Sequence, residues 1–136
     1  MKCSQPIQQC QTGVETMSLT AAARRNGDFL HTVWTGTDLQ VTVMCIPVCG
    51  QIPAEQHAQS DQMLRVEAGQ ALICAGSAPE DLSAQRCLCP GDVVFIPRGT
   101  WHRVVNIGQC PLRLTSVYAP PVHEAGTVYP TVQQAR

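Results

Sequence analysis

The chain has 136 residues, nine of them Lys or Arg and ten Asp or Glu, for a net charge of -1. That length fits one domain with its own core, and a near-neutral chain whose longest basic run is Arg24-Arg25 lacks the electrostatic footprint of a nucleic-acid binder. The N-terminus MKCSQPIQQCQTGVETMSLT has no apolar stretch of the signal-peptide kind, and no apolar run is long enough to span a bilayer, so we expect a soluble, cytoplasmic protein with no membrane partner.

Residues 1–17 show no apolar periodicity and are expected to form a disordered extension ahead of a single domain over 18–136. From Ser18, SLTAAARRNG reads as a short helix, with a capping hydroxyl at its start and Asn-Gly at its stop. Then the pattern changes to short β-branched runs: FLHTVWTG, LQVTVMCIPV, DQMLRVEAG, QALICAG, DVVFIPRG, HRVVNIG and LRLTSVYAPP, punctuated by Gly, Pro, Asn and Asp. Such punctuation, with no stretch after Gly27 long enough for a crossover helix, predicts an all-β sandwich or barrel. The polar tail HEAGTVYPTVQQAR is expected to wrap its outside.

The eight cysteines do not read as a disulfide framework. Cys45 and Cys74 sit within apolar runs, where a free thiol behaves as a small hydrophobe. Cys87/Cys89 and Cys45/Cys49 lack the C-x2-C spacing of structural zinc knuckles. Cys3 and Cys10 fall in the N-terminal extension.

The most specific stretch is GDVVFIPRGTWHRVVN, residues 91–106. Pro97 presets one turn dihedral and Gly99 permits positive φ, so the chain can reverse and deliver His102 at the start of the next strand. Gly91, Pro97, Gly99, His102 and Asn106 match the second motif of the cupins, G-x5-P-x-G-x2-H-x3-N, at each fixed position. The resemblance implies a double-stranded β-helix, or jelly-roll barrel, to which the short N-terminal helix read above is joined, and a first motif upstream, G-x5-H-x-H-x3,4-E-x6-G, that supplies three metal ligands. Counting back from Gly69 puts Gln62 in the place of the usual glutamate, His57 in the second histidine position and Glu55 in the first. Gly50 then stands one residue too close. A rival register honours Gly50 and puts Gln56 and Ala58 in the histidine positions, leaving no strong ligand; a one-residue slip turns every side chain over, so only one register can hold. We take Glu55, His57 and Gln62.

Within the cupins, NGDFLHTVWTG, LQVTVMCIP, EQHAQSDQMLRVEAG and YAPPVHEAGTVYPT resemble a group of small single-domain proteins labelled mannose-6-phosphate isomerase-like, over roughly residues 26–131. Leu30 stands where that group often has Arg, and Tyr129 where it often has His. The resemblance implies a homodimer, which would also cover exposed sheet edges.

Glu55 and His57, two apart on a strand, are expected to share a face; with His102 they make two imidazoles and one carboxylate, a set suited to Fe, Mn, Ni or Zn. Gln62 is a weaker donor, a fourth ligand or a group orienting a metal-bound water, and Asp61 should face away from it. Trp34 and Trp101 are candidate pocket walls or simple core filling. Arg65 and Arg113 are candidate anion partners or solvated surface, and Tyr118 and His123 candidate acid/base groups. Three functions remain open: a metal-dependent enzyme on a small molecule, of isomerase, lyase or oxygenase type; a non-catalytic metal-dependent module binding a sugar or small acid; and a structural barrel with a vestigial site.

Overall fold

The computed structural model describes residues 8–9 and 13–135. In chain order the elements are β1 (Gln8–Gln9), β2 (Glu15–Thr16), α1 (Leu19–Arg25), β3 (Leu30–Thr35), β4 (Gln40–Ile46), β5 (Gln51–Glu55), β6 (Asp61–Ala68), β7 (Ala71–Gly76), β8 (Ala84–Leu88), β9 (Val93–Ile96), β10 (Trp101–Asn106), β11 (Leu112–Ala119) and β12 (Val128–Tyr129), followed by a 3-10 turn, Val132–Ala135. A six-stranded sheet, ordered β12-β3-β4-β11-β6-β9, faces a four-stranded one, β5-β10-β7-β8. All the pairings are antiparallel. This is the expected all-β jelly-roll barrel with one short helix.

The expected extension over 1–17 lies mostly outside the described residues; within it, Gln8–Gln9 pairs with Glu15–Thr16. The helix begins where its cap does: the Ser18 hydroxyl accepts the Ala21 N–H at 3.1 Å. Its C-terminal end is held from the barrel, because Arg113 Nη1 donates to the carbonyls of Ala23 (3.1 Å) and Asn26 (2.7 Å), a favourable place for a cation. Arg113 is therefore a helix anchor and not a substrate clamp. Arg65 is exposed beside Glu67 at 3.7 Å. None of the described helices is long and apolar enough to cross a membrane.

Two strands were not legible as apolar runs. β5 (QIPAE) is interrupted by Pro53, tolerable because β5 is an edge strand, and β8 (AQRCL) is exposed along most of its length. The tail also departs from expectation. Instead of wrapping the outside, β12 extends the large sheet beside β3, and Val132 and Ala135 pack against the core, because those apolar side chains close one opening of the barrel.

The inner faces carry a gradient set by period-2 alternation. Along β11 the inward residues run Leu112, Leu114, Ser116, Tyr118; the register places them opposite Ile46, Met44, Thr42 and Gln40 of β4. On the other flank Leu114, Ser116 and Tyr118 face Val66, Leu64 and Gln62 of β6. All of these are buried. Reading up the barrel, hydrocarbon layers thus give way to a layer of buried polar groups, an expensive arrangement unless those groups find partners.

Candidate metal centre

The corner between β9 and β10 builds the site. Gly99 has φ +78, a conformation costly for a residue with Cβ, and Thr100 N–H closes the turn on Pro97 O at 3.1 Å. The turn is held from two sides: Asp61 Oδ1 accepts the Arg98 N–H at 3.0 Å, and the Gly99 N–H donates to His57 O at 2.8 Å. Asp61 is exposed and points away from buried Gln62, as strand alternation predicts, and its task is to hold this corner.

His102 follows at once. It is 1 % exposed, and its Nδ1 lies 3.0 Å from the carbonyl of Thr100, which can only accept. That bond fixes a proton on Nδ1 and turns the Nε2 lone pair inward, the orientation seen for metal-binding histidines. Directly across the sheet His102 pairs with Glu55. The Glu55 Oε1 lies 3.5 Å from His102 Nε2 and 3.5 Å from His57 Nε2, and one donor atom from each residue falls within 4.8 Å of the others.

The expectation that Glu55 and His57 share a face by strand alternation needs correction. β5 ends at Glu55, and His57 lies in the following loop; it reaches the site because the Gly99 hydrogen bond holds its backbone. The outcome still separates the two registers, since Gln56 and Ala58 are both exposed while Glu55 and His57 face His102.

The donor spacing fits an ion. Metal–ligand bonds of about 2.1 Å place tetrahedral donors about 3.4 Å apart, close to the 3.5 Å from the Glu55 oxygen to each imidazole nitrogen. Both imidazole Nε2 atoms are buried with no hydrogen-bond partner, an arrangement that calls for a partner between them. Burial pushes the Glu55 carboxyl up, but contacts with His102 and then His57 outweigh it and leave the carboxyl lowered to about 2. Glu55 is thus a carboxylate, ready to ligate, throughout the neutral range.

Gln62 sits one layer in, opposite Tyr118. Its Nε2 donates to Ser116 Oγ at 2.7 Å, while its Oε1 is buried without a partner. Tyr118 touches the His57 ring edge-on, 5.3 Å between centroids, and His123 packs on Tyr118 at 5.4 Å. Burial, reinforced by the Glu55 charge and only partly offset by the Ser116 and Thr42 hydroxyls, pushes the Tyr118 phenol up to about 12, so it stays protonated. Burial and the His57 charge lower His123, against an opposing pull from Glu55.

Sequence reasoning missed Gln40. Fully buried, it donates to Thr35 Oγ1 (3.0 Å) and His123 O (2.7 Å) and accepts the N–H groups of Val122 and His123 at 3.0 and 2.9 Å. It thereby clamps the loop that carries His123. The available signal was a glutamine at an inward position of a largely apolar strand. Asn106 is likewise structural: its Nδ2 donates to Ile46, Pro47 and Cys110 carbonyls and its Oδ1 accepts Gly108 N–H, tying the end of β10 to the β4–β5 turn.

A cavity of about 220 Å³ opens beside Glu55 and His57. Tyr118, His123 and Tyr129 line its polar side; Phe29, Leu30, Met44, Ile52, Val132 and Ala135 line the other. Trp34 lies instead in an outer groove with Met17 and Leu19, and Trp101 is not among the lining residues. Among the described residues Cys45, Cys49, Cys74, Cys87, Cys89 and Cys110 are free thiols.

A jelly-roll barrel with a Glu/His/His cluster at its polar end defines a cupin class of protein. Residues 42–118 match the family model described as "Cupin domain", and the chain belongs to that family. It is 38% identical over 119 residues to uncharacterized protein YrkC of Bacillus subtilis (strain 168), covering 88% of this chain but only 64% of that protein. The solved structure of BH2720 from Bacillus halodurans superposes with a TM-score of 0.86 at 42% identity, over 88% of this chain and 91% of that one. An oxalate decarboxylase from Lactobacillus farciminis, solved as a formate complex, aligns with a TM-score of 0.58 at 25% identity, over 65% of this chain and 26% of that one.

Proposed function

We propose that the protein holds a first-row divalent metal (Fe, Mn, Ni or Zn) through Glu55, His57 and His102, with Gln62 as a fourth donor or an orienting group, and acts there on a small molecule by isomerase, lyase or oxygenase-type chemistry. The carrying observation is the pair of buried, unpartnered imidazole Nε2 atoms, each 3.5 Å from one carboxylate oxygen. Bound there, such an ion supplies Lewis-acid polarisation of a substrate oxygen. The chain's own contribution lies beside it: Tyr118 offers a phenolic proton at the cavity wall, and neutral His123, packed on that phenol, can accept one. This neighbouring pair favours an enzyme over a module that only binds. Within the cupins we assign the chain to the small single-domain group labelled mannose-6-phosphate isomerase-like, on the residues quoted above.

The test is reconstitution with each metal followed by elemental analysis. One equivalent of metal taken up, and lost in His102→Ala while the variant stays folded by circular dichroism, is the expected result; equal uptake by the variant would overturn it. With metal bound, oxygen uptake and exchange of substrate C–H protons in deuterated water separate oxygenase from isomerase chemistry, and binding with neither favours the module. A homodimer is part of this reading, supported by Phe95, 75 % exposed on edge strand β9; a purely monomeric species in sedimentation at micromolar concentration would refute it.

A further inference from the structure

The cavity's walls bear on what enters it. Its polar groups gather on one side, at Glu55, His57, Tyr118, His123 and Tyr129, and its remaining wall is hydrocarbon, including Phe29, Leu30, Met44, Ile52 and Val132. No Lys or Arg lines it among the described residues. Arg113, the nearest candidate from the sequence, is spent on the carbonyls of α1, and Arg65 is exposed beside Glu67. Phosphate and multiply charged acids are gripped by guanidinium forks, ammonium groups or helix N-termini, and this cavity offers none of them. An ion held at Glu55, His57 and His102 would offset the Glu55 charge and receive one oxygen-bearing head, but no Lys or Arg in the lining would meet a phosphate at the far end of a ligand. At about 220 Å³ the cavity is also smaller than the roughly 300–1,000 Å³ of drug-sized pockets.

We propose that the substrate is a small molecule with a compact, uncharged or singly charged oxygen-bearing head at Glu55, His57 and Tyr118 and a short hydrocarbon body against Phe29, Leu30, Met44, Ile52 and Val132, and that phosphorylated sugars are not substrates. This deepens the proposed function and rests on it for the position of the head. The hydrocarbon wall has its own consequence. Each methylene moved from water onto that wall gains about a four-fold increase in affinity, from roughly 0.8 kcal/mol per buried CH2. The gain stops when the cavity is full. Val132, on the C-terminal turn that closes the opening, sets the limiting length.

The experiment is calorimetric titration with straight-chain alkyl hydroxamates, from acetohydroxamate through butyrohydroxamate to hexanohydroxamate, and separately with mannose 6-phosphate. Metal-loaded and metal-free protein are both titrated, and metal content is measured independently. We expect affinity to climb about four-fold per methylene and then level, and mannose 6-phosphate to show no heat at millimolar concentration. Val132→Phe, a change on a partly buried terminal turn, should move the plateau to a shorter chain. A flat series, sugar-phosphate binding as tight as hexanohydroxamate, or an unmoved plateau in a folded Val132→Phe protein overturns the inference. A chain-length gradient without any metal uptake would remove the metal reading and leave the cavity's preference standing; metal uptake with a flat series would do the reverse.

Discussion

The Gly99 N–H donates to the His57 carbonyl oxygen at 2.8 Å, so the turn of the second motif holds a ligand of the first. The same turn orients His102 through Thr100 O. Both imidazoles are thereby referred to one corner, and the spacing between them depends on its conformation.

That dependence gives a paired prediction. Gly99 and Gly91 both have positive φ (+78 and +92), and a Cβ added to either meets nothing within 4 Å. Alanine at either position should therefore cost backbone strain alone, on the order of 1–2 kcal/mol, seen as similar shifts of the urea midpoint. Only Gly99→Ala should also weaken metal binding, by about ten-fold, since outer groups that orient ligands are typically worth 10–100-fold in affinity. Equal metal affinity in the two variants would separate the corner from the site.

Asn106 yields the opposite pattern. It is buried and makes four side-chain hydrogen bonds, yet approaches no ligand. Asn106→Ala should destabilise by about 2–4 kcal/mol, because net bond energies near 1 kcal/mol each are joined by carbonyls left without a donor. The folded fraction should still take up metal with wild-type stoichiometry. Loss of metal from well-folded Asn106→Ala would give this residue a part in the centre itself.

Much of this was legible because chemistry and geometry coincide at a few residues. Pro97, Gly99 and His102 specify a turn and what it delivers, and the apolar alternation of β4, β6 and β11 fixes which side chains face inward. The loop position of His57 was not legible, since it follows from a hydrogen bond between segments 42 residues apart in sequence. Strand alternation named two residues that do converge on His102, but by a geometry the chain does not use. The role of the tail was hidden for a similar cause: Val132 and Ala135 are too sparse to form a periodic pattern, and only the open barrel end makes their burial worthwhile.

His123 sets a pH dependence. Burial, the first cause, and the nearby His57 charge lower its pKa below the ordinary 6.5, partly countered by Glu55. The unfolded chain therefore binds this proton more readily than the folded one, and stability must rise with pH across the interval between the two values. The neutral-His123 contribution is complete above pH 6.5 and is lost as pH falls through the lowered folded value. In metal-free protein, the loss of stability just below pH 6.5, followed by denaturant titration, should be shallower in His123→Gln. An unchanged slope would place the responsible group elsewhere.

Gln62 distinguishes this centre from one with a glutamate in the same place. Its amide nitrogen is bound to Ser116 Oγ at 2.7 Å and its oxygen is buried without a partner, so a carboxylate there would gain a charge while meeting little to neutralise it. Gln62→Glu should destabilise the metal-free protein, since an unpaired buried charge is costly. With a divalent ion bound the same carboxylate acquires a partner, and a second anionic donor should tighten metal binding by at least ten-fold. The two effects have opposite signs, so the variant's melting temperature should fall below wild type without metal and recover on adding it. Thermal melts across a metal titration measure both. If Gln62→Glu is equally destabilised with and without metal, the side chain at 62 lies out of reach of the ion, and Glu55, His57 and His102 carry the site alone.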